Sequence, residues 1–233
     1  MKRSHVVDAW NIHCDFDGTI SRVDVIDALL ERYGKPGWNE LENAWRTGKI
    51  GSRECMSGQV ALLDLDRAEL DDYLADASID PGFPTFAAEA RRLGMPLQIV
   101  SDGLDLAIHV ILARHGLALP VAANQLTAVS TRRWTLASPF QSSYCASGTC
   151  KCACIDRGRN QATKSLLIGD GASDFCAASH ADLVFAKSRL IDHCIDHDIA
   201  HVAISGFDEA TALLPMLRAG ALTPSTRPVR ASA

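Results

Sequence analysis

The chain has 233 residues, of which 47% are hydrophobic and 22% are charged, and its formal net charge is −5. A chain of this length can bury a sizeable core, and its acidic balance gives no support to nucleic-acid binding. No apolar run approaches the roughly 20 residues that a membrane span requires, and residues 1–8 lack the apolar segment of a secretory signal. We therefore expect a cytoplasmic protein that binds neither nucleic acid nor a membrane.

The first half of the chain begins with one strand and continues as helices. Residues 10–14 form an apolar run typical of a buried strand, and helical apolar spacing follows over residues 23–33 until Gly34 ends it. The spacing stays helical over residues 38–77, interrupted only by turn signals. This pattern predicts a small helical cap over residues 22–79.

The second half of the chain alternates short apolar runs with helical patterns. The runs typical of strands cover residues 97–100, 119–122, 166–168, 183–185 and 202–204. Helical spacing covers residues 83–93, 104–115, 172–180, 190–197 and 209–217, and a hairpin is expected over residues 125–136.

Such alternation is typical of a parallel sheet with helices on both faces. We predict an α/β fold with a doubly wound, Rossmann-like parallel sheet and the helical cap inserted after the first strand. The core would comprise residues 1–21 and 80–220. Residues 221–233, which are rich in Pro, Ser, Thr and Arg, are predicted to be a disordered tail.

Polar side chains stand at the ends of three predicted strands. Asp15 and Asp17 follow the first strand, Ser101 follows the second, and Asp170 and Asp174 follow the strand that ends at residue 168. Taken singly, these residues are typical of acidic turns and helix caps. Because ligands of doubly wound sheets bind at the carboxyl ends of the strands, we expect the five side chains to converge.

The chemistry of these side chains is that of phosphoryl transfer. Three carboxylates, Asp15, Asp17 and Asp170, form an oxygen-rich site suited to Mg²⁺. One carboxylate can attack phosphorus, and a second, two residues on, can move protons to the leaving oxygen and from water. Ser101 can hold phosphate oxygens, and Lys151, expected in a loop, can neutralise charge.

The motifs that carry these residues resemble those of the haloacid dehalogenase superfamily of phosphatases. Residues 15–19, Asp-Phe-Asp-Gly-Thr, are similar to its first motif, Ser101 to its second, Lys151 to its third, and residues 169–174 to its fourth. The resemblance covers residues 10–217. It implies the fold of that superfamily and a hydrolase that acts on a phosphoric monoester.

The resemblance also implies individual roles. Asp15 would be the nucleophile and Asp17 the general acid and base. Mg²⁺ would be bound by the side chains of Asp15 and Asp170 and by the backbone carbonyl of Asp17, with Asp174 supporting the site. The implied phosphate and substrate contacts are Gly18, Thr19, Ser101, Asp102, Gly103, Asp24 and Gln59.

The predicted cap lies at the same place in the chain as the cap of the superfamily's phosphoserine-phosphatase-like branch, which this chain resembles. Gln59 departs from the pattern of that branch. That branch has an arginine there, which clamps the carboxylate of the substrate, and an acid after the first motif that Asp24 matches. A neutral amide cannot replace the charged, bidentate fork of arginine. Arg53, one or two helical turns away, is the alternative cation for this role, and phosphoserine is not the expected substrate.

The cap segments around residues 36–38 and Gln59, with Cys150 and Lys151 at the third motif, resemble the 2-hydroxy-3-keto-5-methylthiopentenyl-1-phosphate phosphatases of methionine salvage. Asp102 stands where those enzymes are expected to have glycine, so other small phosphorylated metabolites stay open as substrates. The alternatives are phosphoserine, phosphocholine and phosphoethanolamine. A phosphotransferase and a non-catalytic phosphometabolite-binding protein are further alternatives.

The chain has eight cysteines, and four of them are close in sequence. Structural zinc takes four thiolates, so one hypothesis is a zinc site at Cys145, Cys150, Cys152 and Cys154. A thiol-rich buried loop and a redox-sensitive disulfide are the alternatives. The other cysteines are expected to be small buried hydrophobic residues.

Overall fold

A seven-stranded sheet forms the centre of the computed structural model, which describes residues 9–158 and 163–224. The strands are β1 (Ala9–Cys14), β2 (Leu97–Leu104), β3 (Val121–Ser130), β4 (Arg133–Ala137), β5 (Thr163–Gly169), β6 (Leu183–Ala186) and β7 (His201–Ala203). Their order in the sheet is β4-β3-β2-β1-β5-β6-β7. Neighbouring strands are parallel except for the antiparallel pair β3 and β4.

Helices connect the strands. They are α1 (Val25–Tyr33), α2 (Trp38–Arg46), α3 (Ser52–Ala61), α4 (Arg67–Ala75), α5 (Phe83–Arg92), α6 (Asp105–Arg114), α7 (Lys151–Gly158), α8 (Phe175–Ala178), α9 (Ser188–Asp196) and α10 (Phe207–Arg218). Local signals set several of their ends. Asp66, for example, forms a reciprocal capping box with Glu69 at the start of α4.

Apolar side chains cover both faces of the sheet. Along β5, Leu166 and Ile168 belong to one buried cluster, whereas Leu167 between them belongs to another. Alternation of this kind follows from the two-residue period of a strand, and it shows that each face packs against helices. The predicted doubly wound α/β sheet is therefore confirmed.

The structure corrects four details of the predicted elements. β2 continues through Ser101 to Leu104 with an irregular register against β3, and β3 is longer than its predicted core. The predicted helix over residues 172–180 is a 3-10 turn (Ala172–Asp174) followed by the four-residue α8. Lys151, expected in a loop, is the first residue of α7.

Helices α1 to α4 lie between β1 and β2 in the chain, where the cap was predicted. The segments that lead into and out of these four helices contact each other. Ser21 and Ile79 form an antiparallel bridge, and the Asp80 N–H donates to the Ile20 carbonyl at 2.8 Å. The core and cap boundaries at residues 21/22 and 79/80 stay a prediction supported by this contact.

Of the predicted tail over residues 221–233, the structure describes residues 221–224, and residues 225–233 lie outside the described part. In the described part, Leu222 packs against the main core cluster. No helix among residues 9–158 and 163–224 combines the length and the apolar character that crossing a membrane requires.

Helices α5 and α10 are joined by an aromatic cluster. The Phe207 ring lies 4.8 Å from the Phe83 ring and 5.1 Å from the Phe86 ring, centroid to centroid, and all three residues are fully buried. Edge-on and tilted contacts at these distances add to the free energy gained by burial.

We expect Phe207→Ala to lower the free energy of unfolding by about 3–5 kcal/mol, because it leaves a cavity between α5 and α10. Denaturant unfolding followed by circular dichroism measures the change. Met216→Ala on the exposed side of α10 is the matched control, with an expected change within about 0.5 kcal/mol. Equal losses in the two variants would contradict the role assigned to the cluster.

Candidate active site

Three carboxylates meet where β1 and β5 end side by side. Cys14 of β1 is in register with Ile168 of β5, so Asp15 and Asp170 leave the sheet as neighbours. One carboxylate oxygen from each of Asp15, Asp170 and Asp174 lies within 4.8 Å of the other two. This set of hard oxygen ligands fits Mg²⁺. It brings together the sequence-predicted acids Asp15, Asp170 and Asp174, whereas the Asp17 carboxylate is not part of the group.

Lys151 is the positive charge in this group. Its Nζ lies 2.8 Å from Asp15 Oδ1 and 2.7 Å from Asp174 Oδ1, and it donates to Ser173 Oγ at 3.0 Å. Lys151 is 3% exposed, Asp15 4% and Asp174 0%. The two ion pairs are therefore shielded from water. Helix α7 holds the Lys151 ammonium between Asp15, which follows β1, and Asp174, which precedes α8.

Burial and neighbouring charges change the pKa values of this group. Burial, and then the charge of Asp174, raises the pKa of Asp15 well above its usual value. The same two causes raise the pKa of Asp170. Burial by itself would lower the pKa of Lys151, but the charges of Asp15 and Asp174 outweigh it and the pKa is raised. Lys151 therefore carries its charge throughout the physiological pH range.

Asp17 occupies a different environment from Asp15. Its Oδ1 accepts from the N–H of Val25, the first residue of α1, at 3.0 Å. A side chain at position 103 would collide with its Oδ2, so Gly103 allows the strand to pass beside it. Burial, and then the charge of Asp24, raises the pKa of Asp17 to about 8. Asp17 is thus suited to carry a proton at neutral pH.

The loop after Asp17 depends on a glycine, on the Thr19 hydroxyl and on contacts to one cation, Lys187. Gly18 has a φ of +72°, and a Cβ there would lie 2.6 Å from Asp170 Oδ2. Thr19 Oγ1 donates to Asp170 Oδ1 at 3.1 Å, and Lys187 Nζ donates to the carbonyls of Gly18 and Thr19 at 3.3 and 3.0 Å. Gly18 lines the cavity, whereas Thr19 is buried and orients Asp170.

Ser101 and Gly103 lie at the end of β2, on the other side of β1. The Gly103 N–H donates to Ser101 Oγ at 3.0 Å, and both residues line the same cavity as Asp15. Their placement agrees with the predicted phosphate contacts, and their role stays a prediction.

Asp102 has a structural environment that the sequence did not indicate. Its carboxylate accepts from the Ser52 hydroxyl of α3, from Asn124 Nδ2 at 2.9 Å and from the Thr149 N–H at 2.8 Å. Asp102 therefore ties the predicted cap to the core, while also lining the cavity. Ser52 and Asn124 are distant from it in sequence, so no local pattern could reveal this contact.

Gln59 and Asp24 reach the cavity from α3 and α1. Gln59 is buried and its Nε2 donates to Glu42 Oε2 at 3.3 Å, while Glu42 Oε1 accepts from Arg46 Nε at 2.7 Å. Asp24 caps α1 by accepting from two backbone N–H groups. Arg53 instead contacts Gln141 and the Cys145 carbonyl and does not line the cavity.

The cavity between the sheet end and helices α1 to α3 has a volume of about 810 Å³. Beyond the predicted residues, its lining includes acids, basic residues and apolar side chains that sequence reasoning missed, namely Asp27, Glu42, Arg46, Arg189, Trp45, Ile50 and Met56. The helical apolar spacing over residues 38–77 includes Trp45, Ile50 and Met56. It could not show that the helices leave a cavity above the strand ends.

The hypothesis of a zinc site at Cys145, Cys150, Cys152 and Cys154 is not supported. Within residues 9–158 and 163–224, these four thiols do not form a group within ligand distance of one another. Because Cys152 and Cys154 lie in the helix α7, their side chains diverge: Cys152 packs with Cys150, whereas Cys154 packs with Val100. Cys176, expected to be buried, is exposed.

The sequence of the chain matches the family model of the haloacid dehalogenase-like hydrolases over residues 12–179. The chain belongs to this family. Among curated proteins, it is 30% identical to the 2-hydroxy-3-keto-5-methylthiopentenyl-1-phosphate phosphatase of Brevibacillus brevis, over 89% of this chain and 96% of the relative. The phosphatase of the same name from an Exiguobacterium species is 29% identical, over 88% and 96%.

Solved structures agree with the fold of a haloacid dehalogenase-like hydrolase. A probable phosphoserine phosphatase from Vibrio cholerae superposes with a TM-score of 0.71, covering 94% of this chain and 69% of that one, at 17% identity. A substrate-bound phosphoserine phosphatase gives a TM-score of 0.65, over 88% and 97%, at 19% identity. These likenesses confirm the predicted architecture.

We expect Lys151→Met to lower the free energy of unfolding by about 3–5 kcal/mol in the presence of a chelator, because Asp15 and Asp174 lose their buried cation. Chemical denaturation measures the loss. Lys49→Met, at an exposed position of the cap, should change it by less than about 0.5 kcal/mol. Adding Asp174→Asn to Lys151→Met should recover part of the loss, and a further decrease would contradict the electrostatic explanation.

Proposed function

We propose that this haloacid dehalogenase-like hydrolase is a Mg²⁺-dependent phosphomonoesterase that works through a phosphorylated Asp15. The observation that carries the proposal is the position of Asp15, which faces the cavity, is paired with Lys151 and lies within 4.8 Å of Asp170. The Asp15 and Asp170 side chains and the Asp17 carbonyl would hold the ion. When bound, Mg²⁺ would supply positive charge that stabilises phosphate oxygens.

The two acids of the first motif would divide the chemistry. An Asp15 oxygen forms a bond to phosphorus while the bond from phosphorus to the leaving oxygen breaks, and Asp17 gives its proton to that oxygen. Asp17 then accepts a proton from the water that cleaves the bond between Asp15 and phosphorus. The raised pKa of Asp17, about 8, supports its starting this cycle protonated.

The remaining residues would position the phosphoryl group. Ser101 and the nearby N–H groups would supply hydrogen-bond donors at the end of β2. Lys151 would stabilise the negative charge of Asp15 through its ion pair, and Gly18 leaves space beside Asp170. Phosphoryl transfer depends mainly on positioning and charge neutralisation of this kind. The presence of the whole set favours a catalyst over a non-catalytic phosphometabolite-binding protein.

The favoured substrate is the methionine-salvage enol phosphate that names the similar curated phosphatases. The cap side of the cavity supports a leaving group with apolar parts, because Trp45, Ile50 and Met56 line it. Phosphoserine is disfavoured, since Gln59 replaces the expected arginine and donates to Glu42 instead of facing a substrate carboxylate.

A second candidate substrate class, the phosphate esters of amino alcohols such as phosphoethanolamine and phosphocholine, is favoured by one observation. Asp24, Asp27 and Glu42 all line the cap side, and Arg46, which also lines the cavity, is paired with Glu42. Burial, and then the charges of Asp24 and Glu42, raises the pKa of Asp27 to about 6. A cationic leaving group would relieve this crowding of negative charge.

Asp15→Asn should lower Mg²⁺-stimulated phosphate release from a generic aryl phosphate by more than about 10³-fold, because the nucleophile and a metal ligand are lost together. Asp71→Asn, at an exposed position on α4, is the matched control and should keep full activity. Turnover above a tenth of the unsubstituted rate in Asp15→Asn would refute the mechanism. To test for phosphotransfer, an alcohol is added to the reaction of the unsubstituted protein, and formation of the phosphorylated alcohol is measured.

The substrate classes are separated by kcat/KM over a panel of the salvage enol phosphate, phosphoserine, phosphoethanolamine, phosphocholine and sugar phosphates. If a cationic ester is preferred, Glu42→Gln should lower its kcat/KM by roughly 10- to 100-fold, the usual effect of losing a charged contact. The enol phosphate should be almost unaffected. Glu54→Gln, exposed on α3, is the control and should leave both unchanged.

A further inference from the structure

A second group of possible metal ligands lies on α7 and α8, separate from the carboxylates of the active site. Cys152 Sγ, Cys176 Sγ and a ring nitrogen of His180 all lie within 4.8 Å of one another. Cys152 is buried, Cys176 is exposed and His180 is partly exposed. The group is therefore accessible from solvent on one side and enclosed on the other.

The backbone brings these ligands together from two elements. Cys176 lies in α8, and the turn continues past its end because the His180 N–H donates to the Ala177 carbonyl at 2.9 Å. Residues four apart on a helical turn share one side, so Cys176 and His180 face the same way. Cys152, in the first turn of α7, approaches them from the neighbouring helix.

The His180 ring is oriented by a carboxylate. Its Nδ1 lies 3.1 Å from both carboxylate oxygens of Asp156, which is one helical turn after Cys152 on α7. An Nδ1–H that donates to Asp156 leaves the lone pair on Nε2, the tautomer that binds metal ions. A carboxylate behind a ligating histidine is the usual outer partner of such sites and strengthens binding.

The two sulfur atoms are already in contact, at 2.8 Å. An ion bound at about 2.3 Å from each sulfur with tetrahedral geometry would need them roughly 3.8 Å apart. Rotation of the exposed Cys176 side chain can supply that small separation. A disulfide would use the same two atoms, but it would give no role to His180 and Asp156. The third ligand and its carboxylate therefore favour a metal ion.

We propose that Cys152, Cys176 and His180 bind one soft divalent metal ion of the Zn²⁺ class, with water in the fourth position. Thiolate and imidazole ligands select such an ion, whereas the oxygen ligands at Asp15 and Asp170 suit Mg²⁺, so the two sites do not compete. The ion would tie α7 to α8. It would thereby hold Lys151, which precedes Cys152, against Asp174. This proposal does not rest on the proposed function.

The test is a titration of the reduced, metal-free full chain with Co²⁺, in excess Mg²⁺ that occupies the carboxylates. One equivalent of Co²⁺ should produce a thiolate-to-cobalt charge-transfer band in the near ultraviolet, and one equivalent of Zn²⁺ should remove it. With Zn²⁺ at about 100 times its dissociation constant, the Tm should rise by roughly 5–10 °C. Absence of the band in reduced protein overturns the proposal.

Variants locate the site. Cys176→Ser and His180→Ala should each weaken Co²⁺ binding by more than about 100-fold, and Asp156→Asn by about 10- to 100-fold. Cys154→Ser, on the same helix but in a different packing cluster, should keep the band, and so should Asp170→Asn.

Survival of the band in Cys176→Ser would overturn the ligand assignment. The finding of a Cys152–Cys176 disulfide in air-exposed protein, together with no Co²⁺ band after reduction, would identify a redox pair and would equally overturn it.

Discussion

The buried Lys151 ammonium between Asp15 and Asp174 is the interaction on which the rest of the site depends. Three carboxylates, those of Asp15, Asp170 and Asp174, lie close together here, and burial penalises each charge. A single cation at 2.8 and 2.7 Å from two of them makes the cluster tolerable and fixes α7 against the ends of β1 and β5. The strand order around β1 makes this possible, because it places the ends of β1, β2 and β5 side by side.

The cap is joined to this centre by a small number of polar contacts. Asp102 receives donors from Ser52, Asn124 and Thr149, and the Trp134 indole of β4 donates to the Leu65 carbonyl at 2.9 Å. The cap helices thus rest on the sheet end and on the β3–β4 hairpin. In the proposed mechanism the sheet end supplies the reacting groups, and the cap would select the leaving group, because its acids and apolar side chains line the same cavity.

Two groups of possible metal ligands follow from the same packing. Oxygen ligands gather where the strands end, and sulfur and nitrogen ligands gather where α7 meets α8. Lys151 directly precedes Cys152, and Asp174 lies two residues before Cys176. The two segments that carry the buried ion pair between Lys151 and Asp174 therefore also carry the two cysteines of the proposed soft-metal group. Any ligand that ties α7 to α8 would therefore also stabilise the position of the Lys151 ammonium beside Asp15 and Asp174.

The sequence by itself determined the fold class and indicated the acids of the candidate site, because strand–helix alternation is a local pattern and the acids follow directly after predicted strands, in the segments 15–19 and 169–174. Only the tertiary structure decided which distant groups meet. Lys151 begins a helix instead of lying in a loop, Cys154 turns away from the other thiols, and Gln59 donates to Glu42. Those outcomes depend on how helices pack on the sheet. Spacing along the chain predicted which strand ends would converge, but it does not specify the side-chain contacts that a helix makes with distant elements.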